Sequence, residues 1–283
     1  MVGPLVQLRN FRHLLAIAAL TVGLAACQTA GMNGTAEFDK NAGAADNIAS
    51  LNQVIAQNPN DANAYNIRGT AYGRSAQYDL AIQDFTRAIS LNPNFHQAYA
   101  NRALIYKKIN NPQQALADYN RSIMINPSYD IALIGRGDLF RTQGDMGRAV
   151  SDYNQAIVAK TRDPRAYYYR GLIFQQQRNH SQAIEDFTYA LSLDASNSDA
   201  FNARGLSYLA QNDMKGALGD FSNAVRLDRE NYRAWANQGL ALEKERDYSR
   251  AYDSFQRAKI LNSNYQPAID GMDRTRKLRY GKS

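Results

Sequence analysis

The chain has 283 residues, with 33 basic and 26 acidic side chains, 3 histidines and a single cysteine, for a formal net charge of +7 and a pI near 9.4. The excess charge sits at the ends: Arg9 and Arg12 at the front, and Arg274, Arg276, Lys277, Arg279 and Lys282 in the last ten residues, leaving 26 basic against 26 acidic residues between Cys27 and Asp273. A balanced body argues against nucleic acid, which needs a basic stripe along the binding surface, and a lone cysteine excludes a disulfide framework, so the core must hold itself.

Within residues 1–26, Arg9 and Arg12 precede an apolar run from Leu14 to Leu24 that is too short to span a bilayer, which predicts a signal peptide. The run closes on Leu24-Ala25-Ala26-Cys27, small residues followed by a thiol, and this resembles the lipobox of bacterial lipoproteins. The resemblance implies that Cys27 becomes the mature N-terminus, with diacylglycerol on its sulfur and a further acyl chain on its amine. Each buried methylene contributes about 0.8 kcal/mol, so two or three chains make a stable membrane anchor where one does not. Gln28 stands where aspartate favours inner-membrane retention in enteric bacteria, so the implied location is the periplasmic side of the outer membrane. An ordinary secretory signal followed by a free cysteine is the alternative. Beyond the lipidated Cys27, the rest of residues 27–43 is small and polar and predicts a flexible tether spanning about 20 to 24 Å.

Residues 44–61 predict an N-terminal capping helix, read from Asn47 to Pro59, with Leu51, Val54 and Ile55 on one face. From Ala62 the sequence repeats every 34 residues without gaps, in six units beginning at Ala62, His96, Asp130, Pro164, Ser198 and Tyr232. The fourth and eleventh places of each unit are bulky, as in Tyr65 and Tyr72 of unit one. The eighth place is small (Gly69, Ala103, Gly137, Gly171, Gly205, Gly239) and the twentieth is alanine in all six units (Ala81, Ala115, Ala149, Ala183, Ala217, Ala251). The twenty-fourth is a ring (Phe85, Tyr119, Tyr153, Phe187, Phe221, Phe255), and the twenty-seventh is small again. Small residues let two antiparallel helices approach closely while rings fill the gaps above and below. Before each second helix stands Gln77, Asn111, Asp145, Asn179, Asp213 or Asp247, five of the six being good N-caps, and Pro112 follows Asn111 at the first helical position.

This pattern resembles the tetratricopeptide repeat, over residues 62–265. The resemblance implies an all-α fold, a right-handed superhelical solenoid of six helix-turn-helix repeats between two capping helices. The second cap, in residues 266–283, is read as a helix from Pro267 to Tyr280 that covers the last hairpin with Ile269, Met272 and Leu278. Its basic tail offsets the helix dipole and stays solvated, the alternative being contact with anionic lipid.

Two further places recur. The seventh carries Arg68, Arg102, Arg136, Arg170 and Arg204, and the twenty-third carries Asp84, Asp118, Asp152, Asp186 and Asp220. Unit six has Gln238 and Ser254 there, so the cation and the anion are lost together. This predicts five ion pairs inside hairpins, a structural ladder that leaves little charge for a partner.

In tetratricopeptide proteins the first helices line a concave face that takes a peptide. Carried over place by place, the resemblance implies a partner-binding groove whose centre holds Lys107, Ile134, Asp138, Arg141, Arg165, Tyr168, Leu172 and Gln175, with Tyr168 as the aromatic anchor. The clamp that grips chaperone C-terminal carboxylates has no match, since Asn66, Thr70 and Asn101 are followed by Ile131 and Gly135. Nothing predicts an enzyme, a metal or a cofactor: beyond the signal only His96 and His180 remain, Cys27 is lipidated, and no glycine-rich phosphate loop is present. The layout resembles two groups of lipidated repeat proteins, NlpI-type envelope adaptors and six-repeat secretin pilotins. Either implies periplasmic or outer-membrane protein partners. A homo-oligomer whose groove is filled by a neighbour's N-terminal segment stays open as a third reading.

Overall fold

In the computed structural model of the chain, residues 44–280 are described. Cys27, the signal segment and the tether lie outside the described residues. Among the described residues there are fourteen helices and no strand. α1 (Ala44–Gln57) is followed by six hairpins: α2 (Ala62–Arg74) with α3 (Tyr78–Leu91), α4 (His96–Lys108) with α5 (Pro112–Ile125), α6 (Asp130–Thr142) with α7 (Met146–Val158), α8 (Pro164–Gln176) with α9 (His180–Leu193), α10 (Ser198–Ala210) with α11 (Met214–Leu227), and α12 (Tyr232–Lys244) with α13 (Tyr248–Leu261). α14 (Gln266–Tyr280) closes the array.

Helix starts follow from capping chemistry. Asn111, Asp145, Asn179, Asp213 and Asp247 each accept a backbone N–H of the first turn, whereas Gln77 makes no side-chain cap. Helix ends follow from a second asparagine or aspartate. Asn92, Asn126, Asp194, Asp228 and Asn262 leave the helix in an extended conformation and accept the N–H two residues on, at 2.9 to 3.2 Å. Unit three has Lys160 at this place, which cannot accept. There α7 stops one residue early, Lys160 takes φ 61°, and the Thr161 hydroxyl donates to Asp130 at 2.6 Å instead.

The core is built from the repeated places. The six alanines of the twentieth place are fully buried, and so are the rings of the twenty-fourth, none more than 2% exposed. A third small place also recurs: Ala64, Ala98, Ala132, Ala166, Ala200 and Ala234, with Ala268 one period later in α14. α14 is thus in register as the first helix of a seventh unit. α1 is in register as the second helix of a preceding one, since 44–57 lies one period before 78–91.

Each cap departs from its expected face at one residue. Leu51 and Ile55 are buried, but Val54 is 44% exposed; at the other end Met272 packs on the core and Ile269 is partly buried as expected, with Ala268, Gly271 and Thr275 making the buried face, while Leu278 is 45% exposed. A terminal helix has a neighbour on one side only, so its buried stripe is narrower than that of a helix inside the array.

Each first helix packs against its own second helix, against the preceding second helix and against the neighbouring first helices, of which α2 has one and those inside the array two. The second helices of neighbouring hairpins do not pack on one another. First helices therefore crowd on one side and second helices fan out on the other, which makes the first-helix side concave.

The turn inside every hairpin places its second residue in the left-handed region: Ala76 at φ 58°, Asn110 at 59°, Gly144 at 85°, Arg178 at 63°, Asn212 at 60° and Arg246 at 62°. A side chain with a Cβ costs about 1 to 2 kcal/mol there, against about 0.5 to 1 kcal/mol for the greater entropy a glycine loses. Arg178→Gly and Arg246→Gly should each stabilise the fold by about 0.5 to 1 kcal/mol, read as a rise in the urea midpoint. Gly144→Ala should lower it, and a fall for the first two substitutions would contradict this account of the turns.

Candidate functional site

The concave face is the surface on which equivalent helices of successive units pack directly on one another, and its centre is not the open mixture of cations and apolar groups that position alone implied. Ile134 is 1% exposed and offers nothing to a partner. It occupies the fifth place, where Ala100 and Ala236 are also buried, because this place faces the next first helix. Only Tyr168, with Asn66 and Asn202, is partly exposed there.

Asp138 is also buried, at 8% exposure, since two cations cover it. Lys107 from α4 binds its Oδ2, and Arg141, one turn along α6, binds its Oδ1 through Nη2 at 2.6 Å and Nε at 3.2 Å. Burial alone would raise the Asp138 carboxyl, but the bonds from Lys107 and Arg141 outweigh it and hold the group below its usual range. The Arg141 guanidinium lies 4.6 Å from the Tyr169 ring centre.

Arg165 is bound to Asp163, its own helix cap, at 2.5 Å through Nη2 and 3.0 Å through Nε. Gln175 donates to the Ala203 carbonyl at 2.7 Å and the Ser207 hydroxyl at 2.8 Å, so it joins α8 to α10. Tyr168 is half-buried, 5.4 Å from Tyr169 and 6.0 Å from Phe187 between ring centres. Burial, aided by Asp199, pushes its hydroxyl up to about 12. Leu172, Leu206 and Leu240 are partly exposed beyond it.

Sequence reasoning missed the links between units. Lys107 with Asp138 joins the twelfth place of unit two to the ninth of unit three, and Glu243 with Arg274 joins the same two places of unit six and α14 with the signs reversed, at 2.8 and 2.9 Å. Both pairs are separated by 31 residues, a spacing that a search at the repeat period passes over.

The arginines of the seventh place each meet the aspartate of the same hairpin in a two-pronged contact, every N–O distance lying between 2.6 and 2.9 Å. Their third arm reaches back one unit, to Asn52, Thr86, Asn120, Asn154 and Thr188 at 2.6 to 3.0 Å. Rings of the fourth and eleventh places flank the guanidinium, as Tyr65 and Tyr72 do for Arg68 at 5.5 and 5.7 Å. The hydrogen bonds to Asp84 and Asp220 raise Arg68 and Arg204 above the usual guanidinium value; burial opposes the rise in Arg102, and the bond to Asp118 outweighs it. At Asp186 burial dominates over Arg170, so that carboxyl is raised. In unit six the same triangle is made without charge: Ser254 donates to Gln238 at 3.2 Å and Gln238 donates to Ser222 at 3.1 Å. A pocket of about 410 Å³ opens beside it, walled by Trp235 and Leu242.

Comparison with known proteins gives a consistent picture. The family model described as tetratricopeptide repeat matches residues 62–95, 96–129 and 164–197; a TPR repeat model matches 137–178, and a further tetratricopeptide repeat model matches 202–265. No curated protein matches the sequence. Among solved structures, YrrB, described as a TPR protein with an unusual peptide-binding site, is 20% identical, with 67% of this chain and 97% of that one covered and a TM-score of 0.60. The pilF protein of Pseudomonas aeruginosa is 16% identical, with 75% and 97% covered and a TM-score of 0.68. The C-terminal part of a TPR repeat-containing protein from Cytophaga hutchinsonii is 20% identical, with 81% and 94% covered and a TM-score of 0.59. At these identities the likeness is one of fold.

The ladder makes a sharp stability prediction, because its aspartate side chains are at most 9% exposed and its arginines 16 to 19%. Removing one member of a buried pair strands the other, so Arg136→Gln should cost about 3 kcal/mol. Adding Asp152→Ser should recover part of that loss, since Gln238 and Ser254 already form the neutral version. Equal losses for the single and double variants in urea unfolding would contradict a coupled pair.

Proposed function

Since the chain belongs to the tetratricopeptide repeat family, we propose that it is a non-catalytic scaffold that holds protein partners in the concave face of its first helices. In this reading Cys27 anchors it by lipid on the periplasmic side of the outer membrane, where it serves as an adaptor for periplasmic or outer-membrane proteins. The observation that carries the scaffold reading is the packing asymmetry. First helices touch one another along the whole array and second helices do not, so side chains from all six units share one continuous inner surface.

On that surface Tyr168, Leu172, Leu206 and Leu240 are partly exposed on consecutive first helices, and a rigid aromatic beside aliphatic groups is what interface anchors are made of. The description of YrrB as a peptide binder supports the kind of ligand such a fold takes. The anchor rests on the lipobox-like Leu24-Ala25-Ala26-Cys27. The same signal and six-unit layout also fit a second reading, a pilotin-like factor that assists secretin assembly.

Affinity capture from detergent-solubilised envelopes tests both parts. The full chain should retain defined envelope proteins, and the Tyr168→Ala, Leu206→Ala double variant, checked for an unchanged thermal midpoint, should lose at least about tenfold of that recovery. Cys27→Ser should abolish palmitate labelling and release the chain from the membrane fraction. Undiminished recovery by the groove variant would overturn the scaffold reading, and persistent labelling of Cys27→Ser would overturn the anchor. Recovery of secretin subunits in place of cell-wall enzymes would replace the adaptor by the pilotin-like role.

A further inference from the structure

Building on the groove reading, we propose that the concave face between units two and four receives an acidic segment of a partner protein, whose carboxylate docks on Lys107 and Arg141 beside the Tyr169 ring. Two cations there share one resident anion, Asp138, so the cluster carries a net positive charge. The anion is the covered member: its side chain is 11% exposed, against 33% for Lys107 and 28% for Arg141. Both oxygens of Asp138 are already taken, and neither cation is used up by them. An ammonium has three donors, of which Lys107 gives one to Asp138, and Arg141 commits Nε and Nη2 while Nη1 stays outside the pair.

A buried tyrosine borders the cluster. The Tyr153 side chain is fully buried, its ring 6.1 Å from that of Tyr169, and its hydroxyl lies within reach of the charges of Asp138 and Arg141.

The charge pattern also sets direction. Beyond the half-buried Tyr168, unit five presents Asp199 on an exposed position, which repels a second acid. The segment that fits therefore carries its acid over unit three, followed by an apolar residue toward Tyr168. Partial burial strengthens the attraction relative to open water.

The resident carboxylate competes with the incoming one, which gives a test with opposite signs. Random peptides displayed on phage are selected on the full chain in detergent. An enriched peptide and its counterpart with every Asp and Glu changed to the amide are then titrated by fluorescence anisotropy. The expected results are enrichment of acidic peptides, a loss of about tenfold on amidation and on Lys107→Gln, and several-fold tighter binding by Asp138→Asn. Thermal midpoints of both variants are recorded, so that a folding defect is seen as such.

Equal binding of acid and amide peptides would overturn the inference, and so would weakening by Asp138→Asn at an unchanged thermal midpoint. If the selected peptides lack acids and ignore Lys107→Gln but are lost with Tyr168→Ala, this inference fails while the groove reading survives. If no selected peptide depends on any of these residues, both fail.

Discussion

The close approach of two helices over a buried ring underlies everything else in this solenoid. A Cβ placed on Gly69, Gly137, Gly171, Gly205 or Gly239 would sit 2.7 to 2.9 Å from the Phe or Tyr of the same hairpin, closer than real Cβ contacts come. The ring also reaches the following unit, where a Cβ on Gly135 would lie 2.5 Å from Tyr119 and one on Gly271 equally near Phe255. One side chain thus closes its own hairpin and seats the next. Unit two uses Ala103 at the small place and Gly135 to admit Tyr119, so what the fold demands is the space and not one residue.

Polar contacts then set register along the stack. Each ladder arginine is held by an aspartate in its own hairpin and touches the preceding one, so the ion pairs are links between units as well as within them. Desolvation offsets much of the Coulombic gain in buried pairs of this kind, whereas stranding one member is costly. Because every ladder arginine is neutralised, the charge left to interact with other molecules lies elsewhere. At the centre of the concave face the account differs in sign, for one carboxylate there serves two cations.

Much of the fold was legible in the sequence because a solenoid writes the same physical solution repeatedly. The period, the small and aromatic places and the N-caps are all local or one-unit regularities. The third-place alanines, the asparagine or aspartate that ends second helices, and the left-handed turn residue recur at the same period and were equally open to reading. The groove was less legible. Ile134 was assigned to it by position, but the fifth place faces the neighbouring first helix and its exposure differs from unit to unit: Asn66, Tyr168 and Asn202 are partly exposed there and Ile134 is not. The links of Arg165 to a helix cap and of Gln175 across units follow no repeat seen at the period, and that of Lys107 returns only at Glu243, with the signs reversed and at a spacing of 31 residues.

The central claim is that function resides on the concave face. Photo-crosslinking in intact cells tests it most directly, with a benzoylphenylalanine at Leu206 on the inner surface and, separately, at Val158, an apolar residue 81% exposed on a second helix. The account predicts a discrete adduct with a partner protein from the Leu206 position and none from Val158. An adduct from Val158 alone would place the working surface on the convex side and contradict it.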